Sequence, residues 1–497
     1  MKKTLWKKHH KWFGLFFCFF MLMFCISGII LNHREFFAEV NLNRSCLPET
    51  YHFQKWNNGL LRGVVELRPS SSSHRDILLY GIGGIWQSDT SYSSFKDFNA
   101  GLPVGADYRH IRGVVETADR TLFAAGQFGV YRKTSGPWEC VLTPSEDEVR
   151  FSDITMRGDS IIVLSRSRLY LSLPPYRDFT PIDLKAPAGF DGKVSLFKTV
   201  WQLHSGELMG IFGKLFMDSV AIIFIVLCIT GILIWLLPEC LKKSCKTGSL
   251  FRLSQKLFKT SFNWHNLLGR YLFFFLLCVV VTGWCLRPPV LIALVHGKVP
   301  AVPGSSLDSP NPWNDKLRMI RYDEAAKDWL VSTSEGFYSL QDFSSVPVSL
   351  AKQPPVSVMG LNVFQKNPDG EWLCGSFSGM YVWDRAGNRA YDYFTGEDAP
   401  EKQGPPFGKK AISGYCKNFE GPDAVVENYN GSAYPDMPDS FTSLPISLWN
   451  LALEVHTGRI YTFLGPVSLI YIFFAGLIVL WCLWTGWKIR VRAKKKR

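Results

Sequence analysis

The sequence predicts an α+β membrane protein, a four-helix transmembrane bundle carrying an extracytoplasmic, β-rich, propeller-like domain, all built from two duplicated halves. Three observations predict it. Four apolar stretches are long enough to cross a bilayer, basic runs flank them on one side, and two sets of residues recur at fixed spacing in the second half of the chain.

Crossing ~30 Å of hydrocarbon takes about 20 apolar residues in a helix. Trp12 to Leu31, Val220 to Leu237, Leu267 to Leu286 and Phe463 to Trp484 meet that length. Over 497 residues the chain is 47% hydrophobic and 14% aromatic, rich for a water-soluble protein because these stretches weigh on the average. Its net charge of +13 is concentrated at Met1 to Lys11, Lys242 to Lys259 and Lys488 to Arg497. If the four stretches span, these runs share one side, so the positive-inside rule puts both termini and the Pro238 to Asn263 loop in the cytoplasm. Clustering at membrane boundaries also argues against nucleic acid, which requires a basic face on a folded domain. The expected plan is therefore a cytoplasmic N-terminus and first helix (1–32), an outer segment (33–203), helix two (204–238), a basic cytoplasmic loop (239–263), helix three (264–287), a second outer segment (288–455), and helix four with a basic tail (456–497).

Lys2, Lys3, Lys7 and Lys8 would suit a cleaved signal, but the apolar core is too long and no small-x-small site precedes Asn32. Bulky Phe24 before Cys25 argues against a lipoprotein signal, so the first helix is read as an uncleaved anchor. Cysteines in the apolar stretches are ordinary small apolar residues. Cys46, Cys140, Cys374 and Cys416 face the oxidising side and could form one or two disulfides, with pairing open. Cys240 and Cys245 match no metal motif and are expected as free thiols.

The duplication is legible in glycines and histidines. His10 with Gly14, then fourteen residues to Gly28, recurs as His265 with Gly269, then fourteen residues to Gly283. His204-Ser205-Gly206 with Gly213 and Trp235 recurs as His456-Thr457-Gly458 with Gly465 and Trp487. The halves thus run in parallel rather than inverted orientation. Eighteen residues from His10 to Gly28 make about five helical turns, so both share one face with Gly14. Small-residue packing alone accounts for the glycines, but not for the repeated histidines.

The outer segments carry a shorter repeat, an apolar strand, a turn and a strand with an aromatic. Ile77 to Gly81 leads to Trp86, Leu122 to Gly126 to Tyr131, Ile161 to Ser165 to Tyr170, Trp329 to Ser332 to Tyr338, and Trp372 to Gly375 to Tyr381. Aromatics within each half recur every 39 to 45 residues, a blade-like period. About seven or eight blades would fit, closed jointly by the two halves so that neither leaves a long exposed edge; two separate β-sandwiches are the alternative. Ser70 to Ser73 and Pro303 to Pro312 read as loops. Gly81-Ile82-Gly83-Gly84 is no phosphate loop, since no helix pattern follows.

Histidines are the candidate cofactor ligands. His10 and His265 stand at the cytoplasmic ends of helices one and three, His204 and His456 precede helices two and four on the outer side, and His33 follows helix one. An ionisable group at a membrane bundle is a functional candidate, although a lone one often only anchors a helix end. Two imidazoles on facing helices suit a six-coordinate haem that passes electrons, and two levels allow two haems. Zinc would need four ligands, and the helices offer no paired carboxylates or thiolates.

At these residues the chain resembles the PepSY-associated transmembrane helix family. His10-Lys11-Trp12-Phe13-Gly14 with Ser27-Gly28, and His204-Ser205-Gly206 and His456-Thr457-Gly458-Arg459 leading to Trp235 and Trp487, carry the likeness, which covers about a fifth of the chain. Members include inner-membrane proteins linked to iron uptake, some of them di-haem reductases of ferric siderophores. The resemblance implies an inner-membrane protein with haem b that reduces an extracytoplasmic acceptor, ferric iron or a ferric siderophore. The outer segments read as blades rather than PepSY modules, so the substrate is not carried over.

The expected function is haem-mediated electron transfer across the membrane, from a quinol or cytoplasmic reductase to the outer acceptor. The cytoplasmic segments are too short for a nucleotide domain, so the donor is another molecule. His33 is an alternative outer ligand, replaced by Pro288 in the second half. A membrane-anchored propeller that binds without redox chemistry is the other reading. A transporter is disfavoured because the helices lack coupling carboxylates, Asp218 being the main exception. Oligomeric state is left open.

Overall fold

The computed structural model describes residues 3–69, 75–145, 150–243, 248–401, 408–465 and 467–489. Ser70 to Ser73, Cys245 and most of the C-terminal basic run lie outside them, as does the Cys240 side chain. The chain divides into two compact units, Met1–Phe37, Gly192–Asp308 and Trp449–Arg497 forming one, and Ala38–Asp191 with Ser309–Leu448 the other. Each unit draws on both halves of the duplication.

The first unit is helical. Its described helices are α1 (Lys3–Asn32), α2 (Arg34–Phe37), α3 (Leu196–Ser205), α4 (Gly210–Lys243), α5 (Ser249–Tyr271), α6 (Phe273–Cys285) and α7 (Val290–Leu294), then α8 (Leu448–His456) and α9 (Val467–Ile489). Leu448, the first residue of α8, is counted with the other unit. Lys3–Asn32, Glu207–Glu239 and Ile470–Ile489 are long and apolar enough to cross a membrane. They expose Phe16, Phe19, Ile222 and Phe474, side chains that a helix in water would turn inward. Helix α1 packs on α4 and α9, α4 on α5, and α6 on α9 and α3.

The third apolar stretch departs from expectation. Instead of one straight helix over Leu267 to Leu286, α5 and α6 meet at Leu272 with a 69° bend; α5 is long but polar and α6 apolar but short, and only taken together are they long and apolar enough to span. Leu272 leaves the helical region at φ −101° and ψ 6°, which releases the next turn from the α5 ladder. Asp218 is not a free coupling carboxylate: it accepts from Asn32 Nδ2 at 2.9 Å and meets His33 Nε2 at 2.7 Å.

The second unit is β-rich. Five four-stranded antiparallel sheets begin at Gly63–Glu66, Ile111–Glu116, Phe151–Arg157, Leu317–Asp323 and Leu361–Lys366, and a two-stranded one pairs Ile412–Cys416 with Ala424–Glu427. The expected hairpins form in one register. Trp86, Tyr131, Tyr170, Tyr338 and Tyr381 each lie opposite the residue seven before them, Leu79, Ala124, Val163, Val331 and Cys374.

Second strands such as Leu122–Gly126 are buried on both faces, so they read as unbroken apolar runs rather than alternating ones. Phe123 and Ala125 face the third sheet's Phe151 and Ile161, while Leu122 and Ala124 face the first sheet's Leu78 and Ile85. Comparable apolar seams join the third sheet to the fourth, the fourth to the fifth, the fifth to the sixth, and the sixth to the first through Leu61, Ile77, Cys416 and Val426. Among the described residues there are six such sheets where seven or eight blades were expected, beside a two-residue pairing of Asn41–Leu42 with Ile446–Ser447. Cys46, Cys140, Cys374 and Cys416 are all free, with Cys374 and Cys416 buried, so the expected disulfides are not formed.

One ion cluster locks the fourth and fifth sheets. Asp323, its side chain 4% exposed, accepts from Lys366 Nζ at 2.9 Å, Arg385 Nη1 at 3.0 Å and Trp372 Nε1 at 3.2 Å, and Arg385 also grips Asp328. Burial alone would raise the Asp323 pKa, but hydrogen bonds from Lys366, Arg385 and Trp372 outweigh it and hold it at about 2. Because the folded value is depressed, the stabilisation is complete above the unfolded value near 4 and is lost as pH falls from 4 to 2, amounting to about 2 kcal/mol. Asp323→Asn is expected to lose that stability at neutral pH and to flatten the acid limb, read by denaturant unfolding followed through tryptophan fluorescence at pH 7, 4 and 2.5.

Candidate functional site

The duplicated histidines meet in two pairs inside the helical unit. His10 of α1 faces His265 of α5 with ring centroids 6.0 Å apart, and His204 of α3 faces His456 of α8 at 6.1 Å. His204 stands in the last turn of α3, one residue before its end, and Gly206 is a left-handed C-cap at φ 85°. His456 ends α8, with Gly458 at φ 72° two residues on. These caps stop the helix where the imidazole must project.

All four rings are seated in the same way. Nδ1 of His10 approaches the Cys482 carbonyl at 3.1 Å and Thr485 Oγ1 at 3.3 Å; Nδ1 of His265 approaches the Leu227 carbonyl and Thr230 Oγ1, both at 3.1 Å. Nδ1 of His204 approaches the Val279 carbonyl and Thr282 Oγ1, both at 3.2 Å, and that of His456 the Phe24 carbonyl at 3.0 Å and Ser27 Oγ at 3.1 Å. In every seat the hydroxyl donates its proton into its own helix, as Thr282 does to the Cys278 carbonyl at 2.8 Å and Ser27 to Met23 at 2.7 Å. Its oxygen is then an acceptor, like the carbonyl beside it. Two acceptors at Nδ1 require the proton there, so Nε2 carries a bare lone pair on each ring.

The residue after each hydroxyl is glycine, and the ring lies against it. A Cβ built on Gly283, Gly486, Gly28 or Gly231 would stand 2.7, 2.9, 3.2 or 3.4 Å from Cε1 of His204, His10, His456 or His265 respectively. Each imidazole thus docks on a Ser/Thr-Gly step supplied by the other half of the duplication: α1 on α9, α5 on α4, α3 on α6 and α8 on α1. Ser27-Gly28 and Gly283 stand out in the sequence as part of the repeat. The full set, Ser27-Gly28, Thr230-Gly231, Thr282-Gly283 and Thr485-Gly486, was missed as a ligand-seating motif. It was findable as a hydroxyl-glycine step present in each of the first three long apolar stretches and directly after the fourth.

His33 joins neither pair; its Nε2, the atom an outer ligand would use, is turned to Asp218. The spacing of the pairs fits one metal between two rings. Two metal–nitrogen bonds of about 2 Å, with about 1 Å from each nitrogen to its centroid, span about 6 Å. Among the described residues no three His, Cys, Asp or Glu side chains gather as a metal site. Two ligands per level suit an ion that brings its own equatorial donors. The two levels are ~27 Å apart along α1, from His10 to Gly28.

No curated protein matches this chain. Among solved structures, the extracellular domain of BT4673 from B. thetaiotaomicron is similar at TM-score 0.36 and 9% identity, over 78% of this chain and 34% of that one; this chain therefore spans about a third of its length. YCF48 from Cyanidioschyzon merolae is similar at TM-score 0.31 and 9% identity, over 75% of this chain and 80% of that one. The family model of the PepSY-associated TM region matches residues 7–492, from ahead of His10 to beyond Thr485-Gly486, and the chain belongs to that family of membrane proteins.

Proposed function

We propose that this protein holds two b-type haems, one clasped by His10 and His265 and one by His204 and His456, and carries electrons across the inner membrane. The observation that supports this most is the pairing itself: two sets of Nδ1-anchored rings at the separation one metal requires. A haem held by the two imidazoles of a pair would supply one-electron chemistry. The chain's own residues orient the rings, fix their tautomer and keep bulk away from their edges. In this reading α5 and α6 form one broken span, completing a four-helix bundle with both termini in the cytoplasm. The β-rich unit is an extracytoplasmic six-bladed propeller, closed where the sixth sheet's first strand packs on that of the first. Electrons enter from a quinol or a cytoplasmic reductase and leave to an outer acceptor, ferric iron or a ferric siderophore.

The test is the absorption spectrum of the detergent-purified full chain, produced with ample haem. Dithionite is expected to sharpen the visible bands into those of a low-spin b-type haem, at two haems per chain by extraction. A protein that stays colourless and takes up no added haem would overturn the proposal and leave the propeller as a binding module.

A further inference from the structure

The β-rich unit carries a second repeat. The first strand of five sheets opens with an apolar residue, at most 4% exposed, followed by a polar one, Arg112, Ser152, Arg318, Asn362 and Ser413, and in the first sheet Leu61-Arg62 directly precedes the strand Gly63–Glu66. In five of the six sheets the pairing register slips across that polar residue, so it bulges out of the ladder. First strands pack on first strands all round, so these positions are brought together. Arg62 spans the gap, donating to the Arg112 carbonyl of the second sheet at 3.1 Å, and to the Leu361 carbonyl at 3.0 Å and Asn362 Oδ1 at 2.6 Å in the fifth.

Charge here is unbalanced. Arg321 pairs with Asp153 at 2.5 Å and Arg166 with Asp315 at 2.6 Å. Arg62 and Arg318 are only 6% and 8% exposed, and their bonds go to carbonyls and one side-chain amide, all neutral. A guanidinium keeps its proton, and the nearby carboxylates Asp153 and Asp315 are already paired with Arg321 and Arg166, so burying two more on hydrogen bonds to dipoles is costly unless a further counter-charge arrives. Arg318 is held well below the usual arginine range, first by burial and then by Arg166 and Arg150, with Asp315 opposing them.

We infer that the bulge ring of the β-rich unit is a binding site for a small oxyanion with two or more negative charges, a phosphate or a polycarboxylate, held by Arg62, Arg112 and Arg318. Guanidinium forks match paired anionic oxygens, and the carbonyl bonds already made hold the forks in place. The site does not depend on the imidazole pairs.

Calorimetric titration of the detergent-purified full chain in chloride buffer, with inorganic phosphate in one arm and citrate in the other, tests it. Saturable binding that weakens with added salt is expected in at least one arm, and the stronger arm identifies the class. Arg318→Gln is expected to weaken it by about 10-fold or more. Near-UV dichroism reports whether that variant keeps its tryptophan packing; if it does not, Arg112→Gln, at a more accessible position, takes its place with the same expectation. Absence of saturable binding in both arms, or binding unchanged in a folded variant, overturns the inference.

Discussion

Replacing His204 by alanine is expected to take one of two haems from the purified chain while leaving the other spectrally intact. The ring it faces, His456, is anchored through Nδ1 to Phe24 and Ser27 on α1, not to His204, so it stays in place as half of a clasp. One imidazole in place of two would hold the haem by a single protein ligand, and retention through the purification is expected to fall accordingly. His456→Ala should give the same loss, and the double variant no more, because the two act as one unit. His10→Ala and His265→Ala should remove the other haem. His33→Ala should remove neither, since its Nε2 is committed to Asp218. Thr282→Val keeps the His204 ligand and deletes one of its two Nδ1 acceptors, so about 10- to 100-fold weaker haem retention is expected, the usual cost of a lost outer-shell partner. The measurement is extracted haem per chain with the reduced-minus-oxidised spectrum. A His204→Ala protein with its full complement would sink the pairing.

The histidines were legible because each half repeats its own spacing, His10 to Gly28 and His265 to Gly283, and intervals along a chain are visible in a sequence. Their seats were not, because each ring docks on the opposite half. The Thr-Gly step stands 26 residues after His204 but 29 after His456, so the two copies fail to align. A single hydroxyl in an apolar helix also reads as bland, bonded to its own carbonyl, which it is as well. The break at Leu272 has no proline, and the nearest glycine, Gly269, recurs from the first half, where α1 runs unbroken past Gly14. In the β-rich unit, five hairpins were readable because strands buried on both faces make continuous apolar runs ending at a fixed aromatic. The sixth sheet, Ile412–Cys416 with Ala424–Glu427, has two strands and no such aromatic partner, so it left no mark of the same kind.

The glycines beneath the rings give a graded expectation that separates a ligand seat from ordinary helix packing. Alanine at Gly283 would put a methyl 2.7 Å from His204 Cε1, and at Gly486 2.9 Å from His10, closer than carbon atoms tolerate. One of the two must move, and the ring, held only at Nδ1, is the softer. At Gly28 the gap is 3.2 Å and at Gly231 3.4 Å, which small shifts absorb. Haem retention should therefore fall most in Gly283→Ala, then Gly486→Ala, less in Gly28→Ala, and least in Gly231→Ala. Valine at any of the four should empty that level, because its branches reach the ring plane. Stability should move the other way, since alanine favours a helix interior over glycine by about 1 kcal/mol where nothing else is disturbed. Gly231→Ala is thus expected to melt at or above the parent temperature with its haem in place, and Gly283→Ala to keep its helical dichroism while losing one haem. Were the glycines there only to let helices approach, the losses would follow helix–helix packing and not the distances to the imidazoles, and Gly231→Ala would lose as much as Gly283→Ala. Haem content and melting temperature measured on the four alanine variants decide between these outcomes.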